Sequence, residues 1–389
     1  MNQGKYVYSQ LTDFLPKRVF DCLVDKYDGN KHVRFFTCWN QLSCMLFGQL
    51  TGRESMRDLM IGLDAHKSKY YHLGFGKNVT RSNLAKANEK RNYKIFEEFA
   101  YHLIKEARDT SIVKDFDLNI KSNVYAFDSS TIDLCLSVFW WAEFRKTKGG
   151  VKLHTLFDVK TSIPSCIHIT KASVHDVNLL DVLQYESGGY YILDRGYIDF
   201  KRLYRIHLHS AFFVTRTKTN FRFRRMYSNK INKKSGVLSD QVGKLEGYYS
   251  LKDYPEKLRR IKYHDEETEK TLVFLTNNFN LKAKEIALLY KYRWKVELFF
   301  KWIKQHLKIK SFWGVTPNAV KIQIYSAIIV YCLVAIISNK LKVDRSTYEI
   351  LQILSISLLD KTPLKELLTN QDYKDVKELN CMQLKINYI

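Results

Sequence analysis

The 389-residue chain carries 63 Lys and Arg against 40 Asp and Glu, a formal charge of +23, which is more than solubility requires and points to a polyanionic partner. Its 46% hydrophobic content excludes a disordered polyelectrolyte, and its length allows two or three domains with a real core. The seven cysteines are odd in number and contain no Cys-x-x-Cys pair, which argues against a disulfide framework or a structural zinc site.

In chain order, the start Met1-Asn-Gln-Gly-Lys-Tyr lacks the apolar core of a signal peptide, so a cytoplasmic protein is expected. Residues 1–115 read as a helical N-terminal DNA-binding region. Trp39–Gln49 is a helix, Thr51-Gly-Arg-Glu54 breaks it, and Ser55 with Asp58 three places on forms a capping box for the next. Helix, short turn and helix resemble a helix-turn-helix. Thr80-Arg-Ser-Asn opens a longer helix to about Ala107 whose early turns carry Lys86, Lys90, Arg91 and Lys94.

From about 122 the texture becomes β-rich. Val124–Phe127, Val151–Val159, Cys166–Thr170, Tyr190–Leu193 and Ala211–Thr215 read as strands, with Val177–Leu183 and Phe200–His209 as helices between them. This order gives a mixed α/β sheet. Two strands run into a carboxylate, Asp128 and the Asp194 of Asp194-Arg-Gly-Tyr197. An aspartate after an apolar strand commonly caps a turn, but sites also collect at the ends of adjacent parallel strands. Asp133 is the rival to Asp128, set aside because Thr131–Leu136 reads as an outward strand or turn.

Residues 216–281 are too long for an αβ connection and read as an inserted β subdomain with a strand at Thr271–Thr276. Its first part holds Arg216, Lys218, Arg222, Arg224 and Arg225 interleaved with Phe221, Phe223 and Tyr227, a pattern suited to phosphate contact and base stacking. Then comes Tyr290-Lys-Tyr-Arg293-Trp-Lys-Val-Glu297, followed by Lys304. On a continuous helix of about 100° per residue, Tyr290, Arg293, Glu297 and Lys304 fall within an arc of roughly 60°. The remaining positions are mostly apolar, which suits a buried helix, and a buried Glu297 needs partners or a metal. Ile322–Ser338 reads as a core helix and not as a membrane span. A helical tail, residues 341–389, follows the region 116–340.

Asp128, Asp194 and Glu297 together would form an all-oxygen set suited to Mg²⁺ or Mn²⁺. The Tyr-x2-Arg-x3-Glu-x6-Lys spacing, with the two aspartates, Gly149-Gly-Val-Lys-Leu-His154 and Ser173-Val-His-Asp176, resembles the bacterial DDE transposases of the insertion-sequence-four family over roughly residues 120–340. Residues 1–76 look like the small N-terminal domain attached to that branch. The resemblance implies a ribonuclease-H-like catalytic domain with a β-rich insertion. It implies two Mg²⁺ ions, with Mn²⁺ as substitute, held by Asp128, Asp194 and Glu297, and Tyr290, Arg293 and Lys304 on phosphates. It further implies double-stranded DNA, both terminal inverted repeats and target, as partner of a homodimer. Relatives that cut through a hairpin stack a flipped base on a tryptophan in the insertion. Residues 195–293 contain no Trp, which leaves Tyr248, Tyr249 or a phenylalanine for that task, or another route. A catalytically inactive descendant and a nuclease of the same fold are the alternatives.

Overall fold

The computed structural model describes residues 4–369 apart from 78, 112, 114, 115, 147, 218–220, 233 and 234. Lys218 of the basic run therefore lies outside the described residues, as does the last part of the helical tail.

Seven helices come first: α1 (Val7–Thr12), α2 (Lys17–Lys26), α3 (Cys38–Leu50), α4 (Met56–Asp64), α5 (Tyr70–Leu73), α6 (Arg81–Lys90) and α7 (Lys94–Thr110). The Ser55–Asp58 capping box that starts α4 is present and contributes about 1 kcal/mol. The single helix expected over 80–107 is two, because the chain turns extended at Arg91. Every residue of α3 except Trp39 is buried, and α4 turns Arg57, Asp58, Ile61 and Asp64 outward. A helix-turn-helix reader needs a free basic recognition face, and neither helix offers one.

The strands are β1 (Val124–Leu134), β2 (Glu143–Arg145), β3 (Lys148–Asp158), β4 (Ile163–Lys171), β5 (Tyr190–Leu193), β6 (Phe212–Arg216), β7 (Phe223–Ser228), β8 (Val237–Leu245), β9 (Leu258–Asp265) and β10 (Lys270–Thr276). They form one mixed sheet in the order β2-β3-β1-β5-β6-β10-β9-β8-β7, with β4 also on β3. β1, β5 and β6 are parallel, and the β1-β3-β4 pairings are antiparallel, as in a ribonuclease-H-like core. The 216–281 insertion is not a separate subdomain. β10 pairs with β6, so β10, β9, β8 and β7 prolong the central sheet. Expected helix Val177–Leu183 is a 3-10 turn at Asp176–Asp181, whereas Phe200–Leu208 is a regular α8. The short α9 (Tyr248–Asp253) follows β8.

Beyond the sheet run α10 (Ala283–Lys291), α11 (Trp294–His306), α12 (Pro317–Leu341), α13 (Thr347–Ser357) and α14 (Leu364–Leu368). α12 is long and apolar enough to cross a membrane, yet its most apolar window is 94% buried inside the protein. It packs chiefly on α7 and α3. One apolar core thus joins the N-terminal helices, α11, α12 and one face of the sheet, while a second core of Tyr125, Phe127, Leu193, Leu203 and Tyr254 covers the other face. The boundary drawn at residue 115 separates no independent core. Leu351, Leu354, Leu358, Leu364 and Leu368 of the tail are spent on this same core, so these leucines present no dimer surface.

Candidate active site

Side chains alternate across a strand. Val124 and Ala126 of β1 enter the helical core while Tyr125 and Phe127 enter the other, so Asp128 points toward the α10–α11 side. β5 repeats the logic: Ile192 enters the helical core and Leu193 the other, which turns Asp194 the same way. Parallel pairing of Phe127 with Leu193 then sets the two aspartates side by side. β5 stops at Leu193, but β1 continues to Leu134 paired only with β3. Asp128 is therefore not at a strand end, as expected, but at the point where β1 loses a neighbour. That loss opens the space the acids share.

The signature motif does not lie on one helix. α10 ends at Lys291 and α11 begins at Trp294. The join stays right-handed and is closed by three-residue hydrogen bonds, Arg293 N–H to the Tyr290 carbonyl at 3.1 Å and Val296 N–H to the Arg293 carbonyl at 3.2 Å. Such tightening eclipses residues three apart, which brings the Arg293 guanidinium 5.9 Å from the centre of the Tyr290 ring. Trp294 and Leu298 face solvent, so the α11 surface is less buried than its sequence suggests. The Glu297 side chain is 30% exposed.

Arg293 joins the acids. One guanidinium nitrogen donates to Asp128 Oδ2 at 3.2 Å, and the other is paired with Glu297 Oε1. The Tyr290 hydroxyl donates to Asp194 Oδ1 at 3.3 Å. Asp128 Oδ1 accepts the Ser129 N–H at 2.8 Å and the Tyr197 hydroxyl at 3.4 Å. Burial raises the Asp128 pKa; the Ser129 amide and Arg293 oppose this, while Glu297 and Asp194 add to it. The three acids are thus near enough to repel one another. Burial lifts the Tyr290 phenol to about 12, with Arg293 opposing and Asp194 assisting. Burial would lower the Arg293 pKa, but Tyr290, Glu297 and Asp128 outweigh it and the guanidinium stays charged.

Lys304 is a different case. It donates to the Thr131 carbonyl at 2.6 Å, three residues along β1 from Asp128, and burial with Lys310 lowers its pKa against the pull of Asp133. Asp133 itself is exposed and makes no part of the acidic group. Of the insertion residues, Arg216 ends β6 close enough to Tyr290 to affect its titration. Arg222, Arg224 and Arg225 are exposed on or beside the edge strand β7. Phe221 and Phe223 stack at 5.8 Å, and Arg260 lies 4.6 Å over Phe223. Tyr248 and Tyr249 are exposed, but the register puts them at the far end of the sheet. Arg216 pairs with Phe274, that with Ile261, and that with Asp240. α9 begins beyond Leu245, five residues or about 17 Å further down β8.

His154 is wholly buried; its Nε2 meets the Thr170 hydroxyl at 2.8 Å, and burial lowers its pKa to about 4. Asp176 does not cap the turn it begins but pairs with Lys152 at 2.9 Å. Two contributors went unread in the sequence. Tyr197 was visible as the end of the Asp194-Arg-Gly-Tyr run but carried no assigned role. Thr155, whose buried hydroxyl has no partner, faces Asp128 across the β1–β3 ladder, a register that no local signal encodes.

Residues 120–333 match the family described as the transposase DDE domain, and residues 3–76 match a domain of unknown function, DUF4372. The chain is 33% identical over 273 residues to a protein named transposase y4zB of Sinorhizobium fredii, covering 69% of this chain and 74% of that one. It is 29% identical to a transposase for insertion sequence element IS5377 of Geobacillus stearothermophilus, over 53% and 54% of the two chains. It is 26% identical to one for insertion sequence element IS4SA of Synechocystis, over 67% and 73%.

Proposed function

We propose, from the premise that this chain belongs to the DDE transposase family and is a DNA transposase, that it cuts and joins the ends of its element through Asp128, Asp194 and Glu297. The observation that carries this reading is the linkage of all three acids by the signature residues: Arg293 spans Asp128 and Glu297, and Tyr290 reaches Asp194.

The donor set fits a hard divalent cation, since it is all oxygen and its charges repel unless a cation offsets them. Arg293 supplies that positive charge here, and among the described residues no three acids close directly on one point. Two Mg²⁺ ions, or Mn²⁺ in their place, would be held by Asp128, Asp194 and Glu297 and would supply an activated water or 3′-hydroxyl and charge relief at the leaving oxygen. Freed from the carboxylates, Arg293 offers its fork to a phosphate of the bound strand, a geometry a lysine cannot match. Tyr290 holds Asp194 in place. Lys304, tied to β1, brings a point charge to the strand on the Thr131 side. Arg216 and the arginines of β7 extend the positive surface along the sheet. The partner is double-stranded DNA, as inverted repeat and as target, bound by a homodimer.

Incubating the protein with its own flanking repeats and Mg²⁺, then mapping cut and joined strands, tests the reading. Asp128→Ala, Asp194→Ala and Glu297→Ala are each expected to bind the ends without cutting them. A variant that cuts at the wild-type rate removes its residue from the site.

A further inference from the structure

The loop at residues 27–37 and the C-terminal turns of α6 enclose an open cavity of about 650 Å³, remote in sequence from the three acids. Lys31, Arg34, Lys86 and Lys90 line it, are exposed, and have no side-chain partner among the described residues. Among the described residues that line it, Asp28 is the one acid. Phe35 stands 53% exposed at its lip, beside the buried Phe36.

This wall is built and held. Arg91 donates to the Thr37 carbonyl at 2.9 Å and to Gln41 Oε1 at 3.0 Å, and also reaches the Phe36 carbonyl. Asn30 Oδ1 accepts the Cys38 N–H at 2.8 Å. Asp28 and His32 adopt left-handed backbone, φ 51° and 58°, which costs a non-glycine residue energy that the surrounding contacts must supply. Asn318 of α12 ties the end of α6 to the core through the Asn88 carbonyl at 2.9 Å and the Arg91 carbonyl at 2.5 Å. Four unneutralised cations are thus presented from two fixed elements across one concavity.

We propose that this groove grips the sugar–phosphate backbone of DNA without reading its bases. Four exposed cations beside the tied-down Arg91, with one acid among the lining residues, select a polyanion. Three of them are lysines, point charges that fix a backbone in register but carry no base code, and Phe35 adds an apolar surface for a sugar. The groove joins a loop of the segment matching the domain of unknown function to a helix outside it. It replaces the α3–α4 pair as the N-terminal DNA contact. The inference rests on the reading of the chain as a DNA-cutting transposase.

The test uses the full-length protein with Lys31, Arg34, Lys86 and Lys90 changed to Ala, its fold checked by circular dichroism and thermal melting. Affinity is measured by fluorescence anisotropy across a salt series on an element-end duplex and on an unrelated duplex of equal length. The expected result is a loss of at least about tenfold on both. The slope of log affinity against log salt should fall by about 0.9 for each phosphate contact removed. Phe35→Ala should weaken binding with the slope unchanged. Unchanged affinity and slope in the folded variant overturn the proposal, and so does a loss confined to the element end, which means base reading. Should the fourfold variant not fold, protection of Lys31, Lys86 and Lys90 from acetylation by bound DNA, read by mass spectrometry on the wild-type protein, decides; unprotected lysines overturn it. Asp128→Ala should lose Mg²⁺-dependent cutting while keeping the wild-type affinity and salt slope on both duplexes, so the two readings fail independently.

Discussion

At Asp128 the needs of function and of folding oppose each other. A carboxyl whose pKa is raised in the folded chain holds its proton more tightly there than when unfolded. Stability therefore falls as the pH climbs from about 3.9 through the raised value. Asp128→Asn should remove that fall, so the stability of the variant relative to wild type should improve from pH 4 to 7 in divalent-free buffer, measured by urea unfolding. Mg²⁺ should then raise the wild-type melting temperature, by the equivalent of about 2.7 kcal/mol at a hundredfold excess over Kd, and leave Asp128→Asn unmoved; equal stabilisation of both would take Asp128 out of the ion site. His154 has the opposite sign. Its pKa is lowered to about 4, so its contribution is complete above about 6.5 and is lost as the pH falls from there to 4, up to about 3 kcal/mol. His154→Gln should flatten that acid limb, and an unaltered limb would assign it to other groups. At this scale much was legible. Asp128, Asp194, Arg293 and Glu297 were singled out by strand endings, by helical spacing and by the family resemblance those carry, because such signals are local. Thr155 was not, because its place opposite Asp128 depends on how β3 returns against β1.

Among the elements, the sequence pattern served best where one face is buried and worst where geometry changes within a run. The strand cores at Val124–Phe127 and Tyr190–Leu193 and the buried α12 all stood out by apolar content. The break between α10 and α11 did not, since Tyr292 and Arg293 keep helical dihedrals and no Gly or Pro marks the turn. The prolongation of the sheet by β10, β9, β8 and β7 was equally hidden, because pairing partners lie far apart in the chain. One ion pair fastens that prolongation to α10. Arg259 meets both oxygens of Asp240 at 2.9 and 2.8 Å, both side chains are about 5% exposed, and the same guanidinium donates to the Leu281 carbonyl just before α10. Asp240→Ala should therefore cost about 3–5 kcal/mol by leaving a buried cation unpaired, whereas Asp240→Leu with Arg259→Met should cost much less. Urea unfolding of both proteins checks this; equal losses would mean the pair matters for shape and not for charge.

For the molecule as a whole, the shared core decides how the chain can be divided. The sequence suggested a catalytic region that starts near residue 116, but α12 buries its surface chiefly against α7 and α3. A fragment comprising residues 116–389 should expose that apolar helix and aggregate, while the intact chain stays monodisperse by light scattering. A soluble, cooperatively unfolding fragment would refute this. Synthesis follows from the same arrangement. Helices α1–α7 leave the ribosome first, yet the surface that completes them arrives more than two hundred residues later, at α12, roughly 10–50 s at ordinary elongation rates. Glu297 is translated within that interval, when the strands its helix packs on, β1 and β3, are already made but α12 is not. A product that stops short of α12 on this account carries all three acids without the helix that closes the core around α3 and α7, so the cutting edge exists before the body that steadies it.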